Sequence, residues 1–387
     1  MSRNPIATEL KASIIIVAWR LVDELQECLD AVAASIDAPS HEVIVVLNGT
    51  SLETARVANE HPAVSKVIER FANIGFGAAC NLAAQSAIGT DLIFLNDDTR
   101  VDCMWLTTIV AASSAHGGRS AVASLMLNYD GTVQEAGSRL LSHGGTLQWG
   151  ATLTRAEAES EGLLEPREVD YGSAAALLVK RADFEWLGGF DPIFEPAYFE
   201  DVDLQLRLRE IGVTVWLEPQ AIVLHHSGRS TANDHWFRQF AANRSGYRFI
   251  ERWAGVLLTA PAIDDPSHNI ATVEPRNCDT RTVSSEISVG DDSLKKALVI
   301  ARDYEDWLST QLDQLQEFHF EISSDPNAPK RRELIDRVSE LTGRVSELTD
   351  RLVDVEHRNL IGLTKMRIGA FRNKWLLSRN PKRDLTN

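Results

Sequence analysis

Ser13-Ile-Ile-Ile-Val-Ala18 carries a run of consecutive apolar residues, and the chain repeats the pattern in Glu42-Val-Ile-Val-Val46 and Asp91-Leu-Ile-Phe-Leu95. Strands with one wet face alternate apolar and polar residues, so runs without alternation belong to strands covered on both faces. Helical spacing fills the intervals at Leu21–Ala34, Ser51–Glu60 and Gly77–Ala87, with a further strand expected at Val64–Ile68. Strand, helix, strand in that rhythm predicts βαβ units and a parallel, Rossmann-like sheet.

Such sheets bind ligands beyond the carboxyl ends of their strands. The residues there are Trp19 and Arg20, Asn48 and Gly49, Asn73 to Gly77, and Asn96-Asp97-Asp98-Thr99. Each alone reads as an ordinary loop residue; together they mark one polar rim. Farther on, Gly117 to Asp170 is rich in Gly, Ser and Thr and reads as hairpins and a mobile loop. Apolar order returns at Tyr171–Val179, followed by a short helix near Arg181–Leu187, a helix through Leu208, strands at Val213–Leu217 and Ala221–Leu224, and a long helix over Ala232–Trp253.

The chain has 387 residues, a formal net charge of −16, 44% hydrophobic and 24% charged residues. That length predicts one large domain plus something smaller, and the charge argues against nonspecific nucleic-acid binding. Cys28, Cys80, Cys103 and Cys278 are scattered, with no zinc-like spacing, which suits a reducing compartment. Met1 to Lys11 lacks an apolar signal core and no apolar run approaches a bilayer's thickness, so a cytoplasmic, soluble or peripheral protein is expected.

Two acidic clusters carry the chemical reading. Asp97 and Asp98 sit at the tip of a buried strand, where acidic turns are also common as plain caps. Glu200-Asp201-Val-Asp203 places three acids at a helix start, a position the helix dipole favours. The dipole accounts for one or two of them. It does not account for His225 at the end of another strand, where an imidazole would complete a divalent-cation site shared with Asp98.

Asn73-Ile-Gly-Phe-Gly77, Phe94-Leu-Asn-Asp-Asp-Thr99, Gly188-Gly-Phe-Asp191, Tyr198-Phe-Glu-Asp-Val-Asp-Leu204, Arg207-Leu208 and Val223-Leu-His-His226 resemble, in order and spacing, the motifs of family 2 glycosyltransferases of the bacterial rhamnosyltransferase-like branch. The resemblance covers about Ser13 to Trp253. It implies an α/β, Rossmann-like nucleotide-diphospho-sugar transferase fold (GT-A) and an inverting sugar transfer, rhamnose being one donor sugar, to a hydroxyl of a glycan or lipid-linked saccharide. By the same resemblance Asp201 is the catalytic base and Glu200 its acidic neighbour. Asp98 and His225 are ligands of Mg2+ or Mn2+, and Trp19, Arg20, Asn48, Asn73, Gly75, Asn96, Asp97 and Arg244 line the nucleotide-sugar site. Leu47 stands where the family usually has Asp, Arg20 where Asn is typical, and Ala174 where Gly is common. A sugar nucleotidyltransferase is the enzymatic alternative, and a catalytically degenerate scaffold presented by a coiled coil is the non-enzymatic one.

The expected organisation is a GT-A domain over 1–258, a Pro-, Asp- and Ser-rich linker over 259–292, a helical segment and break over 293–329, a coiled coil over 330–358 and a basic amphipathic tail over 359–387. The coil rests on the repeats Arg337-Val-Ser-Glu-Leu-Thr-Gly343 and Arg344-Val-Ser-Glu-Leu-Thr-Asp350, with Val mainly at one seam position and Leu at the other. That choice favours a parallel two-stranded coil and hence a homodimer or higher oligomer; packing on the chain's own domain is the other reading. In the tail, Lys365, Arg367, Arg372 and Lys374 interleave with Ile368, Phe371 and Trp375, which suits either a solvated segment or peripheral contact with the anionic inner face of the cell membrane.

Overall fold

A computed structural model describes residues 10–116, 119–226, 235–263, 293–323 and 339–348. The chain divides into two compact units, Met1–Leu294 and Lys295–Asn387. In the first, β1 (Ala12–Ala18), β2 (His41–Asn48), β3 (Lys66–Arg70) and β4 (Asp91–Asn96) alternate with α1 (Asp23–Ala33), α2 (Leu52–Glu60) and α3 (Phe76–Ala84). All seven residues of β1 are buried, as its unalternating sequence requires. Ile15, Ile44, Val46 and Phe94 pack on one face with α3, while Ile14, Ile16, Val43, Val45 and Leu95 pack on the other with α1.

Next come β5 (Thr99–Val101), α4 (Trp105–Ala115), β6 (Ser120–Leu127), β7 (Val133–Glu135), β8 (Ser138–Leu140), β9 (Thr146–Gln148), α5 (Arg155–Ser160), β10 (Arg167–Glu168), β11 (Ala176–Lys180), α6 (Arg181–Trp186), a 3-10 turn at Pro192–Phe194, α7 (Glu200–Glu210), β12 (Thr214–His225) and α8 (His235–Leu257). The main sheet runs β10-β12-β6-β11-β4-β1-β2-β3, with β5 on β12 and β7 on β6, while β8 and β9 form a separate hairpin. This is an α/β fold built on one large sheet.

The sheet is mixed, not wholly parallel as the βαβ rhythm predicted. The first four strands are parallel, but β11 runs antiparallel to both β4 and β6. Two further expectations are corrected. The segment read as hairpins and loop contains β6, whose eight residues are all buried between β11 and β12. The strands expected at Val213–Leu217 and Ala221–Leu224 are one strand, β12, broken in register between Glu218 and Ile222, where Pro219 lacks a donor for the ladder.

Register sets the site. Val17 pairs with Asn96, so the carboxyl ends of β1 and β4 lie level. His225 pairs with Thr99 across β12 and β5, which brings the last residue of a late strand beside the acids that follow β4.

α9 spans Ser293–Ser323, within the helical segment expected from 293, and lies in the second unit from Lys295 onward. Residues 339–348 are helical, with Leu341 fully buried and Val345 and Leu348 partly exposed. The break at Ser323–Pro329 past its first residue, the rest of the heptad seam, most of the linker and the basic tail lie outside the described residues. Among the described residues no helix is long and apolar enough to cross a membrane.

Candidate active site

The carboxyl ends of β1, β2 and β4, the start of α7 and the end of β12 enclose a cavity of about 510 Å3, a size suited to a small-molecule ligand. Trp19, Asn48, Asn73, Gly75, Asn96, Asp97, Asp98, Glu200, Asp201 and His225 all line it. Residues far apart in sequence are thus gathered as expected, but their local roles differ.

The loop after β3 is held by Asn48. Its Nδ2 donates to Asn73 Oδ1 at 3.0 Å and to the Gly75 carbonyl at 3.2 Å, and its Oδ1 accepts from Ile74 N–H at 2.9 Å. The amide is therefore committed to the loop, and Asn48 shapes the wall rather than offering free donors to a ligand. Gly75 has φ +89, and a Cβ there would stand 2.6 Å from the Pro196 carbonyl oxygen, so only glycine fits.

Asp97 accepts from Trp19 N–H at 3.2 Å. Burial, then the neighbouring Asp98 charge, push its pKa up to about 8. Asp98 Oδ1 is buried and makes no hydrogen bond; His225 Nε2 faces it at 3.1 Å.

Asp201 and Glu200 begin α7, behind two successive residues with left-handed backbone, Tyr198 (φ 73) and Phe199 (φ 68). Non-glycine residues rarely adopt that region, and a pair of them marks a turn fixed by its surroundings; Phe199 is held against Phe249, ring centroids 4.9 Å apart. Asp201 Oδ2 accepts from Ala174 N–H at 3.1 Å and Oδ1 from Val202 N–H at 2.9 Å. Burial raises both carboxyls, Glu200 well above the usual range, with the Asp201 charge adding to it. Glu200 Oε2 has no hydrogen-bond partner, whereas backbone N–H groups hold Asp201 down. Of the pair, Asp201 is the one whose charged form backbone donors favour, and Glu200 the one whose neutral form burial favours more strongly.

Asp203, the third acid, is structural. It pairs with Arg207 Nε at 2.7 Å and Arg252 at 3.2 Å and accepts from Trp253 Nε1 at 3.0 Å, while Arg252 also reaches Asp191 at 2.6 Å. Asp203→Ala leaves the buried Arg207 guanidinium without its carboxylate and takes one of two from Arg252, and unfolding in urea is expected to show a loss of about 3–5 kcal/mol. A loss under about 1 kcal/mol would mean that the network does not hold α7 to α8.

Arg20 and Arg244 are not on the cavity wall. The Arg20 guanidinium stacks 3.8 Å from the Trp19 ring centroid, and Arg244 donates to the Glu195 carbonyl. The arginine that lines the cavity is Arg238, exposed near the start of α8. Sequence reasoning also missed Glu135 and Gln134 on β7. Glu135 lines the cavity, accepts from Ser173 N–H at 2.8 Å, and is pushed up by burial to about 7. Gln134 Oε1 lies 2.7 Å from His225 Nδ1. Neither belongs to a sequence motif, and only pairing of β7 with β6 brings them here.

The family described as "Glycosyl transferase family 2" matches residues 13–181. The chain carries a family 2 glycosyltransferase domain. It is 29% identical over 240 residues to the O-antigen biosynthesis protein RfbC of Myxococcus xanthus, a match covering 60% of this chain and 18% of that protein. It is 27% identical over 256 residues to an N-acetylglucosaminyl-diphospho-decaprenol L-rhamnosyltransferase of Mycobacterium tuberculosis, covering 61% of this chain and 83% of that one. Among solved structures, the mannosyltransferase PcManGT of Pyrobaculum calidifontis, in complex with GDP-Man and Mn2+, aligns at TM-score 0.45 and 14% identity over 92% of this chain and 88% of that one. Asp97 and Asp98 fall inside the matched residues, while Asp201 and His225 lie beyond them.

The cavity's chemistry fits a divalent cation. Five carboxyls (Asp97, Asp98, Glu135, Glu200 and Asp201) line it with one imidazole, and Asp98 presents a buried oxygen with no hydrogen bond. Hard oxygen and imidazole nitrogen suit Mg2+ or Mn2+. Among the described residues no group of three or more His, Cys, Asp or Glu side chains is arranged as a full cage, so ligand or water oxygens would complete the coordination.

Proposed function

We propose that the domain transfers a sugar, with inversion at the anomeric carbon, from a nucleoside diphospho-sugar to a hydroxyl of a glycan or lipid-linked saccharide. The observation that carries this is the placement of a backbone-oriented Asp201 in one cavity with the buried Asp98–His225 pair. Asp201 takes the proton of the attacking hydroxyl, and the raised basicity that burial gives it suits that task at neutral pH. Glu200, protonated, adds no second charge to repel the incoming oxygen. Asp98 and His225 would hold Mg2+ or Mn2+, which would supply positive charge to the departing diphosphate. Trp19 and Asn96 wall the nucleotide side, and Arg238 is placed to meet phosphate.

Rhamnose is the donor sugar placed first, in line with the mycobacterial relative's name. Two chains are joined through the heptad seam, and the basic tail contacts an anionic membrane carrying the acceptor. The test is a panel of nucleoside diphospho-sugars assayed for nucleoside diphosphate release with Mn2+ and with chelator. Metal-dependent release with one donor is expected; pyrophosphate release would indicate a nucleotidyltransferase, and no turnover with any donor or acceptor a degenerate scaffold.

A further inference from the structure

The turn between β6 and β7 settles which nitrogen of His225 carries its proton. Asp130 Oδ1, a carboxylate oxygen, lies 2.6 Å from Thr132 Oγ1, so the threonine hydroxyl donates to it. Hydrogen bonds from Thr132 hold the Asp130 carboxyl below its ordinary range, in its acceptor form. With its proton so directed, Thr132 Oγ1 accepts from Asn128 Nδ2 at 2.9 Å. Asn128 Oδ1 therefore faces Gln134, accepting from Nε2 at 2.9 Å, and the same Nε2 donates to the His225 carbonyl at 3.2 Å. Gln134 must then turn its oxygen to His225 Nδ1, 2.7 Å away. The ring proton is on Nδ1, and bare Nε2 faces the Asn96 amino group at 3.4 Å and stands 3.1 Å from Asp98 Oδ1, off the axis that a hydrogen bond to it would need. Tyr129, in the same turn, stacks on His226 with ring centroids 3.5 Å apart, and His226 N–H donates to the Asp98 carbonyl at 3.1 Å.

We propose that this turn is a tautomer lock, in which Gln134 is the positioning residue that keeps the His225 proton on Nδ1, so that Nε2 and Asp98 Oδ1 present two electron-pair donors and no hydrogen to a divalent cation. Without the lock the proton can sit on Nε2, where it takes the place of the electron pair that a cation would use. The imidazole's outer hydrogen bond thus decides the form of the inner one. The lock itself is a property of the metal-free protein; its use rests on the metal reading given under Proposed function.

The test is 15N nuclear magnetic resonance of histidine-labelled full-length protein above the pH at which the ring titrates, with and without Mg2+, together with Mn2+ affinity by calorimetry. Wild type is expected to show protonated Nδ1 and bare Nε2. Gln134→Leu, similar in size but without an acceptor, moves the proton to Nε2 and weakens Mn2+ binding by about 10–100-fold. Gln134→Glu keeps an acceptor and keeps the proton on Nδ1. A wild-type ring protonated on Nε2 overturns the lock even if neither variant folds, as does a Leu variant with wild-type tautomer or Mn2+ affinity. If wild type shows the Nδ1 tautomer and binds no Mn2+, the lock stands and the metal reading fails instead.

Discussion

Asp201→Asn is expected to lower turnover by about 10²–10⁴-fold while donor affinity stays within a few-fold of wild type. The amide keeps the side chain's size but cannot take the acceptor's proton. It also turns an N–H toward Ala174 or Val202, whose backbone N–H groups both need an acceptor, so some misorientation adds to the loss. Initial rates at saturating donor, set beside nucleotide binding by calorimetry, measure the two effects separately. Near-normal turnover would remove Asp201 as the base and leave Glu200 as the next candidate. Asp203 is not a candidate, since its carboxylate is held by Arg207, Arg252 and Trp253.

Asp98→Ala and His225→Ala should act on binding instead. Each removes one of two protein groups placed to hold the cation, and the loss of several kcal/mol of charge neutralisation is expected to weaken metal-dependent diphosphate binding by about 10²-fold or more. The signature is convergence: with uridine or thymidine diphosphate as probe, affinity with Mn2+ falls to the level wild type shows in chelator, and chelator does nothing further to either variant. Unchanged affinity in both variants would sink the shared site.

Legibility from sequence followed the range of the interaction. β1, β2 and β4 were readable because a strand covered on both faces must be apolar along its length, and the acids at the tip of β4 were readable with them. β6 was not, although it is as deeply buried, because Ser120, Ala121, Ala123 and Ser124 are small residues that resemble a loop until β11 and β12 close on either side. β12 was split by Glu218-Pro219-Gln220, a bulge that only its partner makes part of one strand. The acids of α7 were visible, but their division of labour was not. Asp203 is structural because Arg252 and Trp253 arrive from α8, and Asp201 is oriented because Ala174 supplies an N–H from before β11. Gln134 and His225 are 91 positions apart, and nothing in either local sequence announces the contact.

The reversed strand at the centre of the sheet also governs the order in which this domain can be made. As the chain leaves the ribosome, β3, β2, β1 and β4 are complete by Asn96, yet the free edge of β4 waits for β11, which begins at Ala176, and β6 waits for β12, which ends at His225. Two apolar edges therefore stand open through much of synthesis, and open edges are where nascent chains pair wrongly. The residues proposed for catalysis close the list: a nascent chain that has not reached His225 lacks the imidazole as well as the strand that carries it. Translation speed and chaperone access across residues 97 to 225 thus bear on the yield of active protein in a way that the finished site does not reveal.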